Sequence, residues 1–247
     1  MTMKALPTEK MTQIKNDVRA ALKAGAAPVA AFDADGTLWK CDMGENFFQY
    51  KIDKKLVPFP ADPWAHYEML KKRSHPEAYL WLAQILEGKT LEQTRTWAKA
   101  AVDSIPGGAP VFPWMKEIIS FLKAEGIEVY IVTASIKWAV EPAAQLAGVA
   151  FENVLGIETE VVNGVVTPKQ KGLITYREGK PAALIERTGG RKPVFAAGNT
   201  MGDFALLESS SHVRLVHVSD VPGEGNYETE QEVLGIAKSR GWNWHQA

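Results

Sequence analysis

Pro28-Val29-Ala30-Ala31-Phe32-Asp33-Ala34-Asp35-Gly36-Thr37 is a short apolar run that stops abruptly at two aspartates. Five apolar residues closed by a polar, glycine-containing loop are the pattern of a buried parallel strand delivering side chains to a sheet edge. The same pattern recurs twice. Ile127–Val132 runs into Thr133-Ala134-Ser135, and Val194–Ala197 runs into Gly198-Asn199-Thr200-Met201-Gly202-Asp203. Between and around these runs lie helical patterns. Met11, Ile14, Val18 and Leu22 share one face over residues 9–24. Met115, Ile118, Ile119 and Leu122 do so after Pro113, and further helices are predicted at 140–147, 181–187, 204–208 and 228–240. Val213–Val218 reads as another strand. Ile157–Val162 and Val165–Thr167 around Asn163-Gly164 read as a hairpin, because Asn-Gly suits a turn with positive φ. Alternating strands and helices predict an α/β chain: a three-layer, Rossmann-like parallel sheet covered on both faces.

Residues 40–112 differ in texture. They are interrupted by Pro58, Pro60, Pro63 and Pro76, contain no buried-strand pattern, and show two helical segments, 76–86 and 90–102. The stretch reads as a helical insertion after the first strand, leaving 1–39 and 113–247 as the core. Five of the eight tryptophans fall between Trp39 and Trp114, a density that suits the interior of a thin helical layer. The competing reading gives Trp39, Trp64, Trp81 and Trp97 a cation–π role toward a quaternary ammonium.

Composition narrows the class. With 247 residues the chain has room for one large domain and a companion. Roughly 70–75% of the unfolded surface is buried at this length, enough to fold without disulfides or a structural metal. A net charge of −1 argues against a nucleic-acid binder or a polybasic membrane-surface protein. No apolar run is long enough to span a membrane. The first ten residues contain no continuous apolar stretch, so a soluble cytoplasmic protein is predicted, or a periplasmic one if a leader has been removed. Cys41 is the single cysteine, and the five histidines form no metal-ligand spacing. His212 and His217 flank a strand and read as structural. Trp242 and Trp244 are predicted to dock on the core or on a second subunit.

The chemistry is expected where the three strands end, since ligands of open parallel sheets bind beyond the strands' carboxyl ends. Asp33 and Asp35 sit two apart around a turn that Gly36 permits, so both carboxylates reach one site. Their mutual repulsion calls for a divalent cation or a retained proton. Asp203 extends them to a hard-oxygen set that suits Mg²⁺.

These segments resemble the haloacid dehalogenase superfamily. Asp33-Ala34-Asp35-Gly36-Thr37 looks like its first motif, Val132-Thr133-Ala134-Ser135 its second, Lys180 its third, and Gly198-Asn199-Thr200-Met201-Gly202-Asp203 its fourth. The order, spacing and position of the insertion look most like the phosphoserine-phosphatase-like branch, in which the insertion is a cap. The resemblance implies that Asp33 is a nucleophile forming an aspartyl-phosphate. It implies that Asp35 is the acid and then the base, while its main-chain carbonyl binds Mg²⁺. Gly36, Thr37, Thr133, Ala134 and Lys180 would hold the phosphoryl group. Lys169 and Lys171 are weaker rivals for the lysine role, because they follow the hairpin and read as solvated. Asp33, Asp35, Asn199 and Asp203 would form the metal site, with Asp203 either ligating or orienting metal-bound water. Asn199 departs from the family pattern, which has an acid there. Asp35 favours phosphoester hydrolysis over carbon–halogen cleavage, since an alkoxide needs a proton to leave and a halide does not. In the same branch an acid at about the distance of Asp42 contacts a substrate ammonium. Asp42, Glu45, Trp39 and Arg73 are therefore the candidate substrate contacts, although Arg73 in Lys71-Lys72-Arg73 also reads as a solvated charge run. The predicted activity is a Mg²⁺-dependent phosphatase for a small phosphomonoester, of the phosphoserine or phosphocholine kind. Its rivals are a phosphotransferase using the same site and a binding protein on a decayed phosphatase fold.

Overall fold

A computed structural model of the chain describes residues 4–247. Its centre is a seven-stranded sheet in the order β4-β3-β2-β1-β5-β6-β7. The strands are β1 (Val29–Phe32), β2 (Glu128–Ile136), β3 (Val154–Val162), β4 (Val165–Lys171), β5 (Phe195–Gly198), β6 (Val213–Val218) and β7 (Asn243–Gln246). All neighbours pair in parallel except β3 and β4, the hairpin, whose turn residues Asn163 and Gly164 have φ of 50° and 80°. The helices that cover the sheet are α1 (Thr8–Lys23), α6 (Pro113–Ala124), α7 (Lys137–Leu146), α8 (Gly179–Arg187), α9 (Phe204–Ser209) and α10 (Tyr227–Ser239).

The alternation of a pleated strand explains why β1 is apolar throughout. Ala30 and Phe32 pack with Ile14, Val18, Met115 and Ile118 on one side. Val29 and Ala31 pack with Leu184 and Leu206 on the other. Both faces are thus covered, as the buried-strand reading requires. The strand order places β2 on one side of β1 and β5 on the other. The loops leaving β1 and β5 therefore diverge across a crevice, the point at which such sheets bind ligands. Four strands depart from the sequence reading. β3 begins at Val154 and not Ile157, and β4 runs on past Thr167 to Lys171, so Lys169 and Lys171 lie on the hairpin and do not follow it. β2 continues through Thr133-Ala134-Ser135, with a register irregularity against β3 between Val132 and Ile136 that alters the aim of the side chains there. β7 was not expected. It pairs with β6, and Trp244 within it and Trp242 just before it pack on the core, the first of their two predicted fates.

The insertion holds four helices rather than two: α2 (Met43–Asp53), α3 (Pro63–Arg73), α4 (His75–Gln84) and α5 (Leu91–Asp103). α3 is masked by prolines that read as breaks, whereas α2 contains none. Pro63 stands in the first turn of α3, where its missing N–H is harmless, and Asp62 caps that helix by accepting from Ala65 N at 2.9 Å. Phe48, Tyr67, Leu70, Leu82 and Ala98 form the interior of this layer, with Trp64, Trp81 and Trp97 against it. The same cluster includes Ile136, Trp138 and Val166 of the sheet side, so the two parts share one apolar interior. Main-chain bonds from Gly88 N to Val166 O, Val166 N to Lys89 O and Leu91 N to Gly164 O, all 2.9 Å, tie the layer to the hairpin. A two-pronged Arg95–Glu141 pair at 2.7 and 2.8 Å ties it to α7. The layer is thereby held over the carboxyl edge of the sheet as a cap.

Candidate active site

A cleft of about 140 Å³ lies between the carboxyl ends of the strands and the cap helices. It is lined by Asp33, Asp35, Thr133, Ala134, Ser135, Lys180, Asn199 and Asp203 below, and by Asp42, Glu45, Tyr67 and Tyr79 above. The three strand ends predicted to converge do so.

Asp33 follows β1, and its N–H donates to Ala197 O at 2.9 Å, which extends the β1–β5 ladder to the catalytic edge. Its side chain is buried. Oδ1 accepts from Lys180 Nζ at 2.6 Å and Oδ2 from Thr37 Oγ1 at 2.9 Å. Lys180, in the first turn of α8, also donates to Asp203 Oδ1 at 2.5 Å. Burial and the neighbouring Asp203 push the Asp33 carboxyl up to about 7, against the opposing pull of Lys180. For Lys180, burial acts to lower the pKa, but Asp203 and Asp33 together carry it above its ordinary value. The ammonium is therefore a fixed charge held between two carboxylates.

Asp35 is held by three donors. Oδ1 accepts from Trp39 Nε1 at 2.7 Å and Met43 N at 2.9 Å, and Oδ2 accepts from Ser135 Oγ at 2.6 Å. Burial raises its pKa above the ordinary carboxylate range while these donors oppose the rise. A hydroxyl can donate to a carboxylate or accept from a carboxylic acid, so Ser135 suits either protonation state of Asp35. The sequence reading groups Ser135 with Thr133 at the converging strand ends but gives it no chemical role. Its place two residues after Thr133 on an extended strand was the available signal.

In the β5 loop, Asp203 Oδ2 accepts from Asn199 N, Thr200 N and Thr200 Oγ1 at 3.0–3.1 Å. With Oδ1 taken by Lys180, both oxygens are engaged, which favours the orienting role over direct ligation. Asn199 Oδ1 lies 3.2 Å from Thr37 Oγ1, the hydroxyl that also donates to Asp33. One hydroxyl hydrogen cannot serve both oxygens at once, so Asp33 and Asn199 present hard oxygen donors side by side. Gly36, at φ 81°, is required here twice over: a Cβ would fall 2.1 Å from Asn199 Nδ2. Thr133 and Ala134 line the cleft, and Thr133 Oγ1 accepts from Ser135 N at 3.0 Å.

Among the described residues no three His, Cys, Asp or Glu side chains group as a metal cage. The donors that fit Mg²⁺ here are instead the carboxylate of Asp33 and the amide oxygen of Asn199, a sparse oxygen set of the kind that ion accepts beside water and phosphate. The charge balance points the same way. Five carboxylates (Asp33, Asp35, Asp42, Glu45, Asp203) and one ammonium line the cleft. A phosphate dianion would be repelled unless a cation entered with it.

Two of the four expected substrate contacts, Trp39 and Arg73, do not reach the cleft. Trp39 is fully buried and spends its indole N–H on Asp35, so it positions that carboxylate and faces no ligand. Arg73 lies in the last turn of α3, away from the cleft, with its guanidinium exposed and paired with Glu77. Trp64, Trp81 and Trp97 pack against the cap interior and do not line the cleft. Lys169 and Lys171 are exposed and pair with Glu160 and Glu158. Asp42 and Glu45 do reach the cleft. Asp42 caps α2 by accepting from Glu45 N at 2.7 Å, and Glu45 lies 3.7 Å from Lys71. Asp42 has open surface toward the cleft but is ringed by protein atoms. Desolvation there, with the charges of Asp35 and Glu45, pushes its carboxyl well up. Tyr67, Tyr79 and Tyr176 complete the wall and were not foreseen, because the packing of α3, α4 and the segment before α8, not any local motif, brings them together.

Residues 30–208 match the family model of haloacid dehalogenase-like hydrolases, and the chain belongs to that family. A phosphorylcholine phosphatase of Pseudomonas aeruginosa is 24% identical over 240 aligned residues, covering 69% of this chain and 68% of the relative. Among solved structures, a protein of unknown function from Anaerococcus prevotii superposes with a TM-score of 0.70 at 18% identity, over 99% of this chain and 94% of that one. A substrate-bound phosphoserine phosphatase superposes with a TM-score of 0.52 at 15% identity, over 77% and 86% of the two chains. At these identities the superpositions establish a shared fold.

Proposed function

We propose that the chain is a Mg²⁺-dependent phosphatase that hydrolyses a small phosphomonoester through an aspartyl-phosphate on Asp33, the leaving alcohol carrying a cationic amine. The observation that carries the reading is the Asp33–Lys180–Asp203 bridge beside Asp35, a nucleophile, a fixed ammonium and a donor-held acid in one cleft. The name of the Pseudomonas relative supports it.

Asp33, Asn199 and the Asp35 carbonyl would hold Mg²⁺, which would offset phosphoryl charge. An Asp33 oxygen attacks phosphorus in line, and the bond from phosphorus to the leaving oxygen breaks. Asp35 donates its proton to that oxygen as the alcohol leaves. Asp35 then takes a proton from water as the water oxygen attacks phosphorus. The bond to Asp33 breaks, releasing phosphate and restoring both carboxyl groups. Lys180 and Thr133 hold phosphoryl oxygens, and the preorganised ammonium stabilises charge that grows in the transition state. The cap over the reacting groups limits the room and restricts the substrate to a small molecule. Above the reacting centre, the crowding of Asp42 and Glu45 is relieved by a cation, and the tyrosine walls suit an ammonium or its methylated forms. No helix among the described residues is long and apolar enough to cross a membrane, and the proposed partner is this small substrate alone.

The test is release of phosphate from an aryl phosphate and from phosphocholine with Mg²⁺ and with EDTA. Turnover that needs Mg²⁺ is expected. Binding without turnover at any Mg²⁺ concentration would favour the binding-protein alternative that Asn199 first suggested.

A further inference from the structure

Glu230 lies on α10, far in sequence from every motif, and is fully buried. Its Oε2 accepts from Ser219 N at 3.0 Å and Asp220 N at 2.9 Å, and its Oε1 accepts from Asn199 Nδ2 at 3.0 Å. The contact fixes the Asn199 amide by hydrogen-bond chemistry. If the amide were reversed, its oxygen would face Glu230 Oε1 with no proton between them, at the cost of a buried unpaired acceptor. As placed, Nδ2 faces Glu230, and Oδ1 turns toward Thr37 and Asp33. Gly36 leaves the room for this, since any Cβ there would strike the amide.

We infer that Glu230 is the positioning residue that makes an asparagine serviceable in the metal site: it locks the amide oxygen toward the cation and supplies, one hydrogen bond back, the negative charge that an acid at 199 would carry. The inference rests on the Mg²⁺ reading of the cleft. Outer-shell carboxylates behind ligands typically change metal affinity by about 10–100-fold.

The hydrogen-bond accounting predicts how substitutions combine. In Glu230→Gln, the side-chain oxygen satisfies the two main-chain N–H groups at Ser219 and Asp220, so its NH₂ faces residue 199. The Asn199 amide must then turn its oxygen to that NH₂ and its own NH₂ to the metal. In Asn199→Asp alone, two carboxylates meet in a buried site without a donor between them. In the double variant, the NH₂ introduced at position 230 donates to one oxygen of the carboxylate introduced at position 199. The other oxygen of that carboxylate faces the cleft with its charge. Each single variant is therefore defective, and the pair is repaired.

The experiment is Mn²⁺ binding to the whole protein without substrate, read from the electron paramagnetic resonance of unbound Mn²⁺, with a thermal melt of each variant. Expected are about 10–100-fold weaker binding for Glu230→Gln, a lowered melting temperature for Asn199→Asp, and recovery of both properties in the double variant. A merely structural Glu230 would not be rescued by a change of ligand. Wild-type binding with Glu230→Gln unchanged, or a double variant as poor as the sum of its singles, overturns the role of Glu230 alone. A wild-type protein that binds no Mn²⁺ overturns the metal reading and this role with it.

Discussion

Two lysines are buried among the described residues, one in each part of the molecule, and their surroundings could hardly differ more. Lys180, at the carboxyl edge of the sheet, lies between Asp33 and Asp203 and is held charged. Lys51, inside the cap, has one acceptor, Leu82 O at 3.1 Å, and lies 4.7 Å from the Phe47 ring centroid; burial pushes its pKa down to about 7. At the sheet edge, charge is surrounded by the groups it must neutralise, and an anion is expected there. In the cap interior, charge is a burden that aromatic faces and one carbonyl only partly relieve. The core site is built to keep a charge, and the cap is built to bury surface.

The largest test of this contrast is Lys180→Met. Asp33 and Asp203 would be left buried without their cation, a loss of about 3–5 kcal/mol in unfolding free energy by denaturant melts. Phosphate release should fall by about 10²–10³-fold or more as the transition-state charge loses its ammonium. A variant that melts and turns over like the wild type would erase the distinction between the two lysines.

Asp42→Asn sharpens the cap's one proposed chemical role. KM for phosphocholine or phosphoethanolamine should rise by about 10–100-fold, the worth of a charge-assisted contact. Hydrolysis of an aryl phosphate should be unchanged. Equal effects on both substrates would mean that Asp42 only caps α2.

Lys51→Met should act with the opposite sign from Lys180→Met. The folded chain binds this proton with a pKa of about 7 against an ordinary 10.5, so between those values the unfolded chain holds more protons and stability rises with pH. Removing the lysine should therefore stabilise the protein by about 2–4 kcal/mol at neutral pH. The gain should shrink as pH is raised toward 10, and turnover should stay within about twofold. Loss of stability at neutral pH would show that the cap depends on this charge. At the bottom of the scale, Arg73→Ala should change melting by less than about 0.5 kcal/mol and KM by less than about twofold, because its partner Glu77 is exposed beside it.

How far the sequence could be read follows the same division. The core site was legible because its residues sit in short loops directly after buried strands. Asp33, Asp35, Thr133, Asn199 and Asp203 needed only the strand pattern to be grouped. Lys180 needed the family resemblance as well. The cap wall was not legible, since Tyr67, Tyr79 and Tyr176 meet through the packing of α3, α4 and the segment before α8, at distances no spacing encodes. Trp39 shows the limit most clearly. Its position after the first motif suggested a ligand contact, but the turn at Gly36 folds its indole back onto Asp35. Glu230 was equally invisible, because an acid in the first turn of a helix commonly just complements the helix dipole. The four-residue strand β7 was missed because Asn243-Trp244-His245-Gln246 has neither β-branched residues nor alternation, and only pairing with β6 makes it a strand.

The most direct measurement is acid-quenched turnover of phosphocholine with Mg²⁺, followed by mass spectrometry of the peptide that contains Asp33, for the wild type and for Asp33→Asn. A phosphoryl group on that aspartate is expected in the wild type, and neither modification nor turnover in the variant. Continued turnover by Asp33→Asn, or a phosphoryl group trapped on any other residue, would contradict it.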